Sequence, residues 1–326
     1  MGSEDGMFVF PDFDAFNLAL NAVAPPTTKP TSESQLAELE STHSVTTFQR
    51  VYLDRVLEYD TQKLPDDWFS ANADIVSLYD NGILPTIGDI AVRTLVNSNG
   101  QVRVGDDLYI FTKDRQYIVP AELEPALLDE ILTKGRSDLE NGIYVLDDWQ
   151  DNNHDLEQKT CDGASSLNCS TGEVDDHRVR GVWGVTSVVR TNRITICSGP
   201  DRSFCFPRIV SFTVSPRYFA NAKVEDRGLF NRWTRDQTIL SFTCGIKGNG
   251  GLRGSGQGWT SSTPVHEINV SWSAGPSRTF DVGTQPTAGP TLNYVTGGVD
   301  DERITGLFCF KCCPWDCSDL DEDNIP

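Results

Sequence analysis

No cysteine occurs before Cys161; all 9 lie from there onward. A cytosolic enzyme usually scatters its thiols. Clustered cysteines in a β-rich half point instead to an oxidising compartment. The odd count leaves at least one thiol free or paired between chains. Basic residues are scarce early as well. Residues 1–160 hold 11 Lys/Arg against 29 Asp/Glu, residues 161–300 hold 14 against 11, and residues 301–326 hold 2 against 7. This acidic field, −20 in all, repels nucleic acid and anionic membranes, so neither is an expected partner. No stretch approaches the roughly 20 apolar residues that span a bilayer, so no transmembrane segment is expected. The start, MGSEDGMFVF, has no basic n-region and no long apolar core. An exported chain of this kind would have shed its signal peptide. Catalytic motifs are missing too. There is no G-x-S-x-G elbow, no H-E-x-x-H, no phosphate-binding G-x-x-x-x-G-K-[ST] and no G-x-G-x-x-G between a strand and a helix.

What is present can fold. A hydrophobic content of 38% supports a packed core, and 326 residues suggest about two domains. Apolar residues at Phe13, Phe16, Leu20 and Val23 have helical spacing, with Asp12 as N-cap. A second helical pattern runs through Leu36, Leu39, Phe48, Tyr52, Val56 and Tyr59, broken near STHSVTT. A helix around Ile87–Leu95, strands QVRVG, DLYIFT and QYIV, and a helix ending at Gly135 follow. From Val179 the chain reads as short β runs: VRGVWGVTSVV, RITIC, RIVSFTVSP, TILSFTCGI, EINVSWSAG and RTFDVG. The expected fold class is an α+β N-terminal domain followed by an all-β antiparallel sandwich-like domain. The expected divisions are an acidic domain at 1–146, a polar hinge at 147–177, a sandwich at 178–308 and a Cys-rich acidic tail at 309–326.

Three blocks carry a resemblance: FPDFDAF (Phe10–Phe16), LVNSNGQVRVGDDLYIFT (Leu95–Thr112) and RVRGVWG (Arg178–Gly184). Together they resemble exported proteins of unknown function from Bacteroidetes-type bacteria. The resemblance implies an exported or surface location and a non-catalytic role. The chain departs from that pattern in having no cysteine near its start and in its Cys-rich tail.

The short loop CSGPDRSFC (Cys197 to Cys205) fits a bridged turn, and CDGASSLNC (Cys161 to Cys169) does likewise. Cys309, Cys312, Cys313 and Cys317 are four sulfurs on one short segment. Such a segment wraps poorly around a zinc ion, so disulfides among them or back to Cys244 are the better reading. Asp319, Asp321 and Asp323 alternate as at the start of a calcium loop, but three carboxylates fall short of the 6–8 oxygens calcium takes. A solvated acidic end with no cofactor is the first reading there, and bound calcium the alternative. Asp175, Asp176 and His177 could serve a nucleophile, yet no recognised nucleophile context accompanies them. Trp259, in GSGQGWTSS, is a candidate ligand platform.

The sequence thus reads as an extracellular or cell-surface, non-enzymatic binding or structural protein with an unknown protein or glycan partner. The alternatives are a carbohydrate-binding or carbohydrate-acting protein and a subunit of a surface assembly.

Overall fold

In the computed structural model, residues 1–23, 33–79, 82–147, 149–152, 177–198, 204–228, 232–248, 255–261, 263–282, 292–300 and 308–312 are described. Strands β1 (Gly2–Glu4) and β2 (Met7–Phe10) lead into α1 (Phe13–Val23). Asp12 caps α1 by accepting from the Ala15 N–H at 2.8 Å, and Phe13, Phe16 and Leu20 form its buried stripe. Helices α2 (Glu33–His43) and α3 (Phe48–Thr61) are two pieces. Between them Ser44 takes a left-handed φ of 51°, and Thr47 caps α3. Next come α4 (Trp68–Ala71), β3 (Val76–Tyr79), β4 (Gly82–Pro85) and the short α5 (Ile90–Leu95). Strands β5 (Gln101–Val104), β6 (Asp107–Phe111) and β7 (Arg115–Pro120) precede α6 (Pro125–Lys134), which Gly135 closes in the left-handed conformation. Strands β8 (Tyr144–Asp147) and β9 (Gln150–Asn152) complete this part.

Beyond it the described elements are all strands: β10 (His177–Ser198), β11 (Phe204–Arg227), β12 (Trp233–Arg235), β13 (Ser241–Gly248), β14 (Ser255–Thr260), β15 (Glu267–Ser273), β16 (Arg278–Asp281), β17 (Leu292–Asp300) and β18 (Phe308–Cys312). The chain is a mixed α and β protein with several sheets. One sheet runs β1-β2-β5-β6-β7-β8; β2 and β5 pair in parallel and the other neighbours antiparallel. A second runs β12-β11-β10-β9, with β15 and β16 also on β11. A third runs β14-β13-β17-β18, and β3 pairs with β4. Among the described residues no helix is long and apolar enough to cross a membrane.

The runs expected as separate short strands are fused. VRGVWGVTSVV and RITIC both lie in the 22-residue β10, and RIVSFTVSP lies inside the 24-residue β11. A register shift at Asn192/Arg193 absorbs the polar stretch between the first two runs. Pro216 does not stop β11, because it falls in the gap between β16, whose pairing ends at Val214, and β15, whose pairing starts at Arg217. Its missing N–H therefore interrupts no bond on that edge.

The largest hydrophobic cluster gathers Phe8, Phe10, Phe16, Tyr52, Ile87, Leu95, Tyr109 and Trp149 with Val188, Val189, Ile209 and Phe212. The cluster thus draws on residues both before and after segment 147–177. At the turn into β5, Gly100 has φ +73, and a Cβ there would lie 2.2 Å from the Phe111 carbonyl oxygen. That carbonyl cannot move freely, because Phe111 also donates its N–H to the Gly100 carbonyl at 2.8 Å. Gly100→Ala is expected to destabilise by at least about 1–3 kcal/mol, the usual cost of a strained left-handed residue. An unchanged urea midpoint would rule this out.

Candidate functional site

Strand alternation sorts the side chains of β11. Tyr218, Ala220, Ala222 and Val224 join Ile268, Val270 and Trp272 of β15 in an apolar cluster. The intervening Arg217, Asn221, Lys223 and Glu225 take the opposite face. Register places Thr186, Arg180 and Arg178 of β10 beside Arg217, Lys223 and Glu225, and Asn269 and Glu267 of β15 beside Asn221 and Lys223. In an antiparallel sheet such a polar face usually meets water. Here it is covered by α1, α3, α5 and β4, and Arg93, Arg178, Arg180 and Arg217 are each no more than 2% exposed.

Buried charge persists only where it is paired and hydrogen-bonded. Asp89, the N-cap of α5, accepts from Ala91 N–H at 2.8 Å through Oδ1. Its Oδ2 accepts from Arg217 Nε at 3.0 Å and from the Thr186 hydroxyl at 3.3 Å. Arg217 also donates through Nη1 to Asn21 Oδ1 at 2.7 Å, and through Nη2 to the Leu20 carbonyl at 3.2 Å and Ser271 Oγ at 2.8 Å. One guanidinium therefore ties α1, α5, β11 and β15 together.

Arg93 does the same from α5. Its Nε donates to Gln49 Oε1 of α3, Nη1 to the Ile87 and Gly88 carbonyls at 3.2 and 2.8 Å, and Nη2 to Asn269 Oδ1 at 2.9 Å. Lys223 Nζ donates to the Tyr52 hydroxyl at 2.7 Å and the Ile83 carbonyl at 3.2 Å, and stands 3.9 Å from Glu267 Oε2. Glu225 accepts from Arg178 Nε at 2.7 Å and Arg180 Nη2 at 2.8 Å. The chain passes close over this trio: a Cβ at Gly82 would lie 3.0 Å from Arg180 Nη2 and 3.1 Å from Arg178 Nη2.

The electrostatics follow from burial set against neighbours. Burial would push the Glu225 carboxyl up, but the Arg180, Arg178 and Lys223 cations outweigh it and hold it below the ordinary range. Glu267 behaves alike, with Lys223 and Arg93 as the opposing cations. Burial pulls Arg93 down, opposed by Glu267, Tyr52 and Asp89. At the rim, burial pushes Tyr59 up to about 12, only partly relieved by Arg232. Five cations (Arg93, Arg178, Arg180, Arg217, Lys223) meet three carboxylates (Asp89, Glu225, Glu267), and neutral oxygens take further donors of Arg93, Arg217 and Lys223. Such a layer is built to hold elements in register; its strong groups are aimed at one another.

Further ion pairs join the acidic first part to the more basic second part. Arg193 pairs with Asp107, Arg235 with Asp60 at 2.8 Å, and Arg190 with Asp14 at 3.7 Å.

The sites read from sequence are distributed differently. Cys197 and Cys205 are direct partners in the β10–β11 register. Cys244 aligns with Gly297 of β17, and Gly297 with Cys309 of β18. A whole strand therefore separates Cys244 from Cys309, roughly 9.5 Å at the usual spacing. Disulfide partners normally have Cα atoms within about 7 Å, so the register does not favour bonding those two. Cys312 sits farther along β18, opposite Tyr294. Trp259 is half-buried in β14 and leans on Trp272, ring centroids 5.7 Å apart. Cys161, Cys169, Cys313, Cys317, Asp175, Asp176, Asp319, Asp321 and Asp323 lie outside the described residues.

No protein-family model matches the chain, and no curated protein does. Among solved structures, a DUF4848 family protein from Bacteroides thetaiotaomicron is similar at 13% identity and a TM-score of 0.31, covering 94% of this chain and 96% of that one.

Proposed function

We propose that this is an exported or cell-surface, non-enzymatic protein that acts as a rigid binding or structural body toward a protein or glycan partner. The observation that carries the reading is the buried charge layer. Its arginines, lysine and carboxylates are engaged with one another and with carbonyl, amide and hydroxyl groups of the fold. A reacting site needs strong groups aimed at a substrate position instead. In the same reading the β-rich part is sandwich-like. Leu240 and Trp259 pack on the apolar face of β11 and β15, which supports that arrangement.

The location rests on the cysteines. Directly opposed antiparallel residues have Cα atoms about 4.5–5.5 Å apart, within disulfide range, and Cys197 faces Cys205 in this way. Closing so short a loop stabilises by about 2–3 kcal/mol in the chain-entropy model. Non-reducing peptide mapping of the native protein is expected to recover the two segments cross-linked, with fewer free thiols before reduction than after. Recovery of alkylated Cys197 from unreduced protein would remove the export argument.

A further inference from the structure

The structure assigns a binding site for a divalent first-row transition-metal ion to His177, Asp226 and Asp236, where three strands meet at one end of the long ribbon. His177 opens β10 and is the direct register partner of Asp226 in β11. Asp226 in turn pairs with Thr234 of β12. Asp236 follows β12 and is fixed by its N–H, which donates to the Val224 carbonyl at 3.2 Å. The three side chains therefore occupy the sheet face opposite the Arg178–Glu225–Arg180 trio, set apart from that layer by the strand backbone.

One nitrogen is shared by two carboxylates. His177 Nδ1 is hydrogen-bonded to Asp226 Oδ1 and lies 3.8 Å from Asp236 Oδ2. One ligand atom from each residue falls within 4.8 Å of the others. Two carboxylates converging on one imidazole nitrogen favour positive charge placed between them. A metal ion in place of the Nδ1 proton supplies that charge and bonds to all three.

The donor set fixes the class of ion. One imidazole nitrogen with two carboxylate oxygens suits zinc, cobalt, iron or manganese. It does not suit calcium, which takes oxygen ligands in larger number. The histidine side chain is 1% exposed, while those of Asp226 and Asp236 are 41% and 26% exposed. The ion would thus be anchored from the buried side and reachable from water. Three protein ligands leave coordination positions for water or an incoming donor, as in open zinc sites. Thr234 adds a polar support by donating its hydroxyl to the Asp226 carbonyl at 3.3 Å. This site is independent of the structural reading given above.

Zinc titrated calorimetrically into chelator-treated protein is expected to bind with one equivalent at this site. Cobalt is expected to give a visible d–d spectrum without the intense near-ultraviolet band of thiolate ligation. Calcium, as control, is expected not to compete. His177 is buried, so His177→Ala risks the fold. The deciding variant is Asp236→Asn on the exposed side, with circular dichroism to verify folding and an expected 10- to 100-fold loss of affinity. The assignment is overturned by absence of saturable zinc binding, by zinc binding unchanged in Asp226→Asn/Asp236→Asn, or by a thiolate signature in the cobalt spectrum.

Discussion

Arg217→Met is expected to destabilise the protein by about 3–5 kcal/mol, the range for removing one partner of a buried ion pair. The methionine fills much of the space, so the loss is chiefly electrostatic. Asp89 is fully buried and would keep the Ala91 N–H and the Thr186 hydroxyl as its hydrogen-bond donors, with Arg93 the remaining cation that acts on it. Asn21, Leu20 and Ser271 would each lose a donor at the junction of α1 with β15. The effect is asymmetric in a useful way. Removing both charges, as in Arg217→Met/Asp89→Asn, takes away the stranded carboxylate, so the double variant should recover a large part of the loss. Urea denaturation of the four proteins measures the coupling. A loss under about 1 kcal/mol for Arg217→Met would place the arginine in water and undo the description of the layer.

That layer shows where sequence reading fails and why. Helix α1 was legible because its information is local: a cap at Asp12 and apolar residues at helical spacing. The hairpins of β5, β6 and β7 and the stop at Gly135 were legible for the same reason. The long strands were not. Pro216 and the polar stretch around Asn192 read locally as breaks, and only partners far along the chain show the ladder continuing. Polar residues alternating with apolar ones, as in Arg178, Val179 and Arg180, normally mark a solvated face. What covers them here, α3, α5 and β4, lies roughly a hundred residues earlier, and no local pattern encodes that. One trace did exist. The first 160 residues are short of cations while the next part is not, and pairs such as Arg217–Asp89 and Arg235–Asp60 are that imbalance folded face to face. By sequence the asymmetry reads as a field that repels nucleic acid and anionic membranes; in the structure part of it is paired inward.

The same inward joining makes Phe212→Ala the sharpest test of how the two parts cooperate. Phe212 is fully buried at the centre of β11, its ring centroid 4.3 Å from that of Tyr144 in β8. Val188, Val189 and Ile209 carry the contact onward into the cluster that contains Phe16, Tyr109 and Trp149. Truncating a buried phenylalanine costs about 3–5 kcal/mol, through lost transfer energy and the cavity left behind. The pattern of the loss matters as much as its size. If the shared core makes one cooperative unit, hydrogen exchange in Phe212→Ala should accelerate together in β6, β7 and β8 and in β10, β11 and β15. Two self-sufficient domains divided at 147–177 would confine the acceleration to the second group. A double-mutant cycle with Tyr144→Ala should return a coupling of about 0.5–1.5 kcal/mol for the ring pair. Purely additive losses, with exchange in β6 and β7 unchanged, would mean that the two parts touch without stabilising each other.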